Sequence, residues 1–227
     1  IKQLEKYGLE LIKKKKFLEA EKIFKFLINK KNNNETIYIN LANIYWVQNN
    51  HNESVNYLHK AIKINPSNHE AHNNIGIILK QKGDINNAIK YYKKAINLKP
   101  NYSNSYYNLA VAYTINDDTN KAIECYKKCL KLSPNNIDAI NNLGIILKEN
   151  GEFSQAIELY KKALQLDPNN ISILNNIGTT YQEDNQIKVA IDFFDKALKI
   201  DPKIAEINNN IGTCLQIQGN ISDSIES

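Results

Sequence analysis

The sequence predicts an all-α protein, built as a solenoid of antiparallel helix pairs. The first observation is the spacing of the prolines, which recur every 34 residues at Pro66, Pro100, Pro134, Pro168 and Pro202. The second is that apolar residues between two prolines follow the period of an α-helix, as Ile140, Leu143 and Leu147 do. A fixed period of this length is the signature of a repeat architecture, so the repeat defines how the chain is organised.

Each repeat is predicted to contain two helices joined by a turn. When the proline is numbered as the thirty-second position, the first helix of the repeat that begins at residue 137 ends in a turn at Gly151. The second helix carries Ala156, Tyr160 and Ala163 and ends before the proline. Gly or Asn suits a left-handed residue that ends a helix, and the turn position holds Asn49, Gly83, Gly151, Asn185 and Gly219.

Small and large residues alternate at fixed positions of the repeat. The eighth position is Gly or Ala and the twentieth is Ala or Ser, whereas the twenty-fourth is large, as at Tyr92 and Tyr160. Small side chains let two helices approach closely, so we predict that Ala122 and Ala156 are buried at helix contacts. Because one helix pair cannot bury its apolar face alone, neighbouring pairs are expected to stack.

This pattern of Gly or Ala, Tyr or Leu, Ala, aromatic, Ala and Pro over 34 residues resembles the tetratricopeptide repeat family. The resemblance covers the whole chain and implies a right-handed superhelical solenoid that binds protein or peptide and is not itself a catalyst. First helices would line a concave wall and second helices the convex one. We expect one solenoid over 1–227, with repeats at 1–34, 35–68, 69–102, 103–136, 137–170 and 171–204 and a partial repeat at 205–227.

Asparagine recurs at the sixth position of six successive repeats, on the wall expected to be concave. The residues are Asn40, Asn74, Asn108, Asn142, Asn176 and Asn210. An amide offers both a donor and an acceptor, which complement a peptide backbone. Neighbouring helices lie roughly 8–10 Å apart and an extended peptide advances about 3.3 Å per residue, so each amide would meet about every third residue of a bound peptide. The alternatives are hydrogen bonds between repeats, or codon usage.

Other residues of the same wall extend this candidate site. They are Asn43, Asn73, Tyr107, Asn141, Asn175 and Trp46. Trp46 is either an anchor for a ligand or a packing residue against the lysine-rich first repeat. The wall carries amide and aliphatic groups with little charge. We expect the amides to be exposed, so that replacing them weakens peptide binding far more than it weakens the fold.

The asparagine row also resembles the asparagine ladder in the tetratricopeptide arm of O-linked N-acetylglucosamine transferase and of Spindly-type O-fucosyltransferases. That resemblance implies, as one alternative, a substrate-recognition arm whose catalytic domain lies outside this chain. A second alternative is an architectural scaffold of a multi-subunit complex.

Composition argues against several other classes. All 29 basic residues are lysine, whereas recognition of phosphate and guanine favours the planar fork of arginine, so no nucleic-acid partner is expected. No apolar run approaches the ~18 residues of a membrane span. The three cysteines are an odd, sparse set that favours reduced thiols in the cytoplasm or nucleus. No metal or other cofactor is expected, since Cys129 and His72 occupy packing positions.

The C-terminal repeat is incomplete. Its second helix is predicted to start near Ile221, and its first helix presents Ile211, Leu215 and Ile217. The chain also lacks methionine, even at position 1. We therefore expect a piece of a longer array, with an apolar C-terminal edge that associates end to end with a second molecule.

Overall fold

The computed structural model describes residues 2–30 and 34–226, with side chains up to Gly219. These residues form thirteen α-helices joined by short turns, which confirms the predicted all-α class of helix pairs. The helices are α1 (Lys2–Lys13), α2 (Phe17–Asn29), α3 (Glu35–Val47), α4 (His51–Ile64), α5 (His69–Gln81), α6 (Ile85–Leu98), α7 (Ser103–Ile115), α8 (Thr119–Leu132), α9 (Ile137–Glu149), α10 (Phe153–Leu166), α11 (Ile171–Glu183), α12 (Ile187–Ile200) and α13 (Ala205–Glu226). Odd-numbered helices are the first helices of the repeats.

The helices form two compact units, Ile1–Asp118 with α1–α7 and Thr119–Ser227 with α8–α13. In the N-terminal unit each helix packs against the next one, and α1 also touches α3 as α5 touches α7. In the C-terminal unit α9 and α11 contact in the same way, as do α11 and α13. The single solenoid over 1–227 remains a prediction, and residues 31–33, at the end of the first repeat, lie outside the described residues.

One residue with positive φ lies in the turn between the two helices of each of the first six repeats. These residues are Lys15, Asn49, Gly83, Asp117, Gly151 and Asn185. The predicted glycine and asparagine turns are thus confirmed at four of these places. Asp117, with φ of 56°, is also a residue type that tolerates this conformation. Lys15 adopts φ of 57° without a favoured residue type, and the packing of α1 on α2 offsets that backbone cost.

The seventh repeat differs from the prediction. The sequence predicts a turn at Gly219 and a new helix near Ile221, whereas α13 continues without a break from Ala205 to Glu226. A turn sacrifices hydrogen bonds within the helix, and in the other repeats the packing of the second helix offsets that loss. The continuous helix α13 keeps these hydrogen bonds across Gly219.

Packing within a repeat depends on a ring that lies against a small residue. The twenty-fourth residue covers the glycine at the eighth position in four repeats: Phe24 over Gly8, Tyr92 over Gly76, Tyr160 over Gly144, and Phe194 over Gly178. These four rings are fully buried, and so are Ala122 and Ala156 as predicted. A Cβ atom at Gly144 would lie only 2.5 Å from Cε1 of Tyr160, so the glycine is needed for this close approach.

We predict that Gly144→Ala destabilises the protein by about 1–3 kcal/mol, because the added methyl group overlaps the Tyr160 ring. Gly212 is the matched control, since it holds the same repeat position and nothing lies within 4 Å of its Cβ site. Gly212→Ala should be neutral, or stabilise by up to about 1 kcal/mol through helix propensity. Urea unfolding measures both, and equal effects would contradict the ring-on-glycine account.

His72 is a buried packing residue, as its place among Tyr38, Tyr106 and Ile140 at the fourth position predicts. Its side chain is 1% exposed, and its Nε2 donates to the carbonyl oxygen of Pro66 at 3.1 Å. Nδ1 is buried without a partner among the described residues. Burial lowers the pKa of the His72 imidazole, and the nearby Lys94 acts in the same direction.

Because the folded-state pKa of His72 lies below its unfolded value of about 6.5, the folded state resists protonation. The stability contributed by the neutral ring is fully present above about pH 6.5 and is lost as the pH falls through the folded-state pKa. His72→Tyr should therefore reduce the fall in melting temperature between about pH 7 and pH 5. An unchanged pH slope in His72→Tyr would rule His72 out as the source.

Candidate functional site

The asparagine row lies on the first helices, and its side chains are half-buried. The residues are Asn40 on α3, Asn74 on α5, Asn108 on α7, Asn142 on α9, Asn176 on α11 and Asn210 on α13. The expectation that these amides are exposed is therefore wrong, because neighbouring first helices are close enough for the amides to meet side chains of the next repeat.

Within each unit, most members of the row donate to the preceding repeat. The acceptor is the asparagine at the fifth position, which the sequence also assigned to the candidate site. The three bonds are Asn108 Nδ2 to Asn73 Oδ1 at 3.1 Å, Asn176 Nδ2 to Asn141 Oδ1 at 2.7 Å, and Asn210 Nδ2 to Asn175 Oδ1 at 3.0 Å. The amides thus join successive repeats, which the sequence left open as an alternative to ligand binding.

Two members of the row have different partners. Asn142 Nδ2 donates to the hydroxyl oxygen of Tyr126 at 3.2 Å. Asn74 follows a repeat whose fifth position is Ile39, which offers no side-chain acceptor, and its Nδ2 reaches Asn43 Oδ1 at 3.4 Å instead. This last bond is long and lies at an exposed place, so it constrains the two amides only weakly.

The fifth-position residues differ in burial. Asn73 is 3% exposed and accepts a second hydrogen bond, from Ser105 Oγ at 3.0 Å. Asn175 is 9% exposed and donates to Glu206 Oε1 at 2.9 Å. Tyr107 and Asn141 are half-buried. Asn73 and Asn175 are therefore primarily links between repeats.

A pocket of about 220 Å³ opens between α3, α4 and α5 in the N-terminal unit. Its lining residues are Asn43, Trp46, Ser54, Leu58, Asn74, Ile77 and Ile78. Three of the predicted site residues, Asn43, Trp46 and Asn74, thus come together around one cavity. The sequence analysis did not identify Leu58 as a site residue. The sequence does distinguish it, because Leu58 is the aliphatic residue at the twenty-fourth position, which is aromatic in the other complete repeats.

Trp46 lines the pocket and also packs. Its side chain is half-buried against the core shared by the second and third repeats, and its ring lies 5.0 Å from that of His51, measured between centroids. One alternative predicted from the sequence was that Trp46 packs against the first repeat. In the structure the indole lies toward α5 of the third repeat, because the twelfth position of a first helix faces the following repeat.

Other kinds of site were sought over the same residues. Across the described chain, no three or more of His, Cys, Asp and Glu come together as metal ligands do. Within that part of the chain there is also no helix with the length and apolar character needed to cross a bilayer.

Family models assign the repeats. The tetratricopeptide repeat model matches residues 36–68, 69–102 and 103–136, and further models of the same repeat match 125–158, 144–185 and 171–204. The matches together run without a gap from 36 to 204, so the chain belongs to the tetratricopeptide repeat family. Such repeats are protein–protein interaction modules and typically non-catalytic, and this chain is a module of that class.

Solved structures share this fold. MamA is 26% identical with a TM-score of 0.67, over 73% of this chain and 97% of that one. YrrB, described as a TPR protein with an unusual peptide-binding site, is 21% identical with a TM-score of 0.69, over 82% and 96% of the chains. PilF of Pseudomonas aeruginosa is 17% identical with a TM-score of 0.81, over 92% and 95%. No curated protein sequence gives a significant match.

The amide links predict a difference between two members of the row. Asn108→Ala removes a donor to the buried Asn73 and should lower the free energy of unfolding by about 1 kcal/mol. Asn74→Ala removes two long bonds, the 3.4 Å bond donated to Asn43 and the 3.5 Å bond accepted from Asn73 Nδ2, and should cost less than about 0.5 kcal/mol. Urea unfolding curves measure both variants. Equal losses would mean that the amide links do not stabilise the stack.

Proposed function

We propose that the chain binds an extended peptide or protein segment along the first-helix face, by which we mean the surface formed by the fifth, sixth, ninth and twelfth positions of the repeats. The observation that carries this proposal is the pocket between α3 and α5. It has an indole in its wall, supplied by Trp46, and amides from two adjacent first helices, supplied by Asn43 and Asn74. Apolar cavities with a few well-placed polar groups are typical ligand sites.

The amides at the pocket suit a peptide backbone. Asn43 is exposed, and the 3.4 Å bond that it accepts from Asn74 is weak enough to be exchanged for bonds to a ligand. Each amide then offers N–H donors and a carbonyl acceptor to the C=O and N–H groups of a bound segment. Because these hydrogen bonds are made to the backbone of the ligand and not to its side chains, ligands of many sequences can form them.

The rest of the row supports the same mode of binding in each unit. The links made by Asn108, Asn176 and Asn210 each use one N–H group, while an amide has two, together with a carbonyl oxygen. We propose that the remaining capacity of these side chains contacts the bound segment. YrrB, which has the same fold, is described as a TPR protein with an unusual peptide-binding site, and this supports the proposal.

Other predictions from the sequence stand as proposals beside this one. A glycosyltransferase arm and a scaffold of a multi-subunit complex remain alternatives. The fold also occurs in the Cut9–Hcn1 hetero-tetramer, which is 19% identical over 93% of this chain and 42% of the other, with a TM-score of 0.76. Buried cysteine side chains at Cys129 and Cys214 are compatible with the proposed cytoplasmic or nuclear location.

End-to-end self-association is a further proposal from the sequence. Leu215 on α13 is 55% exposed. Ile211 and Ile217 instead pack partly against the core of the C-terminal unit. The apolar edge is therefore smaller than the sequence alone predicts, and light scattering over a concentration series measures whether it joins two molecules.

The proposed function predicts a loss of peptide binding when the pocket amides are removed. A library of immobilised 15-residue peptides is screened with the wild-type chain, and the peptides that bind are titrated against the double variant Asn43→Ala/Asn74→Ala. We expect about a tenfold loss of affinity with little change in melting temperature. Asn97→Ala is the matched control, since Asn97 is an exposed asparagine on the second helix α6. The proposal would be overturned if the peptides bound Asn43→Ala/Asn74→Ala as tightly as they bind Asn97→Ala.

A further inference from the structure

The pocket between α3, α4 and α5 has a specific origin in the sequence. In the five other complete repeats, the twenty-fourth residue is a buried aromatic ring, at Phe24, Tyr92, Tyr126, Tyr160 and Phe194. The second repeat carries Leu58 at this position, and its side chain is buried to the same degree, at 1% exposed. An aliphatic residue is shorter than an aromatic ring, so it leaves the outer part of that space unfilled.

The location of the pocket agrees with this origin. The hydroxyl oxygen of Tyr126 lies 3.2 Å from Nδ2 of Asn142, the sixth residue of the following repeat. Asn74 is the sixth residue of the repeat that follows Leu58, and it lines the pocket together with Leu58. The cavity therefore occupies the place that the outer part of a tyrosine ring takes beside Asn142.

The walls are suited to an uncharged, apolar group. Trp46, Ile77 and Ile78 supply apolar surface, and none of the lining residues is charged. The one hydroxyl in the lining, Ser54 Oγ, is buried and donates to the carbonyl oxygen of Ala42 at 2.8 Å. A buried charge or an unpaired polar group would be costly in such surroundings.

We infer that this pocket binds one phenylalanine- or leucine-type side chain of the partner segment, in the space where the chain's own aromatic ring lies in the other repeats. The inference rests on the proposed function, because the segment that supplies the side chain lies along the first-helix face. Asn43 and Asn74 bond to the backbone of that segment, while the side chain contacts Trp46 and Leu58. The second repeat thereby adds selectivity for one side chain of the ligand to a face that otherwise bonds only to the ligand's backbone.

Trp46 is the single tryptophan of the chain and lies in the pocket wall, so its fluorescence reports occupancy directly. The probes are N-acetyl-phenylalanine amide and N-acetyl-leucine amide, with N-acetyl-alanine amide as the control probe. We expect a saturable fluorescence change at about millimolar concentrations of the first two probes and none with the third. The absence of any response to the phenylalanine and leucine probes would overturn the inference.

The decisive variant is Leu58→Tyr, which restores the ring of the other repeats and fills the pocket. Ala42 holds the eighth position of the second repeat, so the new ring would lie against an alanine there. We expect at least about a tenfold loss of probe affinity in a variant that remains folded, with a lower melting temperature because the added ring meets the methyl group of Ala42 where four other complete repeats have glycine. Ser54→Ala is the control, since it changes the lining without filling the cavity, and Leu58→Phe is the second filling variant.

The peptide library separates this inference from the proposed function. Peptides selected by the wild-type chain should contain phenylalanine or leucine and lose affinity for Leu58→Tyr. If Leu58→Tyr and Leu58→Phe bind the probes and the same peptides as tightly as the wild type, the pocket inference fails while peptide binding stands. If the probes bind and no peptide does, the pocket is supported and the proposed function fails.

Discussion

The contact on which the structure depends is the packing of a large side chain at the twenty-fourth position against a small residue at the eighth. It fixes how closely the two helices of a repeat approach, as the 2.5 Å separation between a Cβ site at Gly144 and the Tyr160 ring shows. The separation of the two helices within a repeat determines where the first helix of the following repeat lies. It therefore also determines which side chains meet between repeats. The asparagine links follow from it, because amides bridge neighbouring helices only at a narrow range of separations.

Asparagine has several separate roles in this chain, and they explain part of its abundance. At the starts of first helices, Asn34, Asn68, Asn136 and Asn170 accept hydrogen bonds from backbone N–H groups and cap the helix. At the sixth and fifth positions, pairs such as Asn176 and Asn141 join successive repeats. Around the pocket, Asn43 and Asn74 are joined by a bond of 3.4 Å, which is weak enough for the two amides to exchange partners readily.

In a repeat protein, the residue types that recur at the same position in every repeat are those needed for the repeats to stack. Residues specific to a ligand are therefore expected where one repeat departs from the others. Two departures of the second repeat meet at the pocket: Leu58 at an otherwise aromatic position and Trp46 at the twelfth position. Together they convert a filled interior into a cavity that opens beside two amides. The same residue that reduces internal packing thus opens a cavity at the surface of the N-terminal unit.

The sequence by itself determined the helix pairs, the repeat length, the small packing positions at Ala122 and Ala156, and most of the turns, because each depends on a local period or on one residue type. It also placed Asn43, Trp46 and Asn74 on one face. Only the tertiary structure decided that the asparagine row is half-buried and that most of its members bond to the preceding repeat, that α13 passes through Gly219 without a turn, and that a cavity lies beside Leu58. These features depend on distances between residues far apart in sequence, such as the 35 positions between Asn73 and Asn108, and no local pattern encodes those distances.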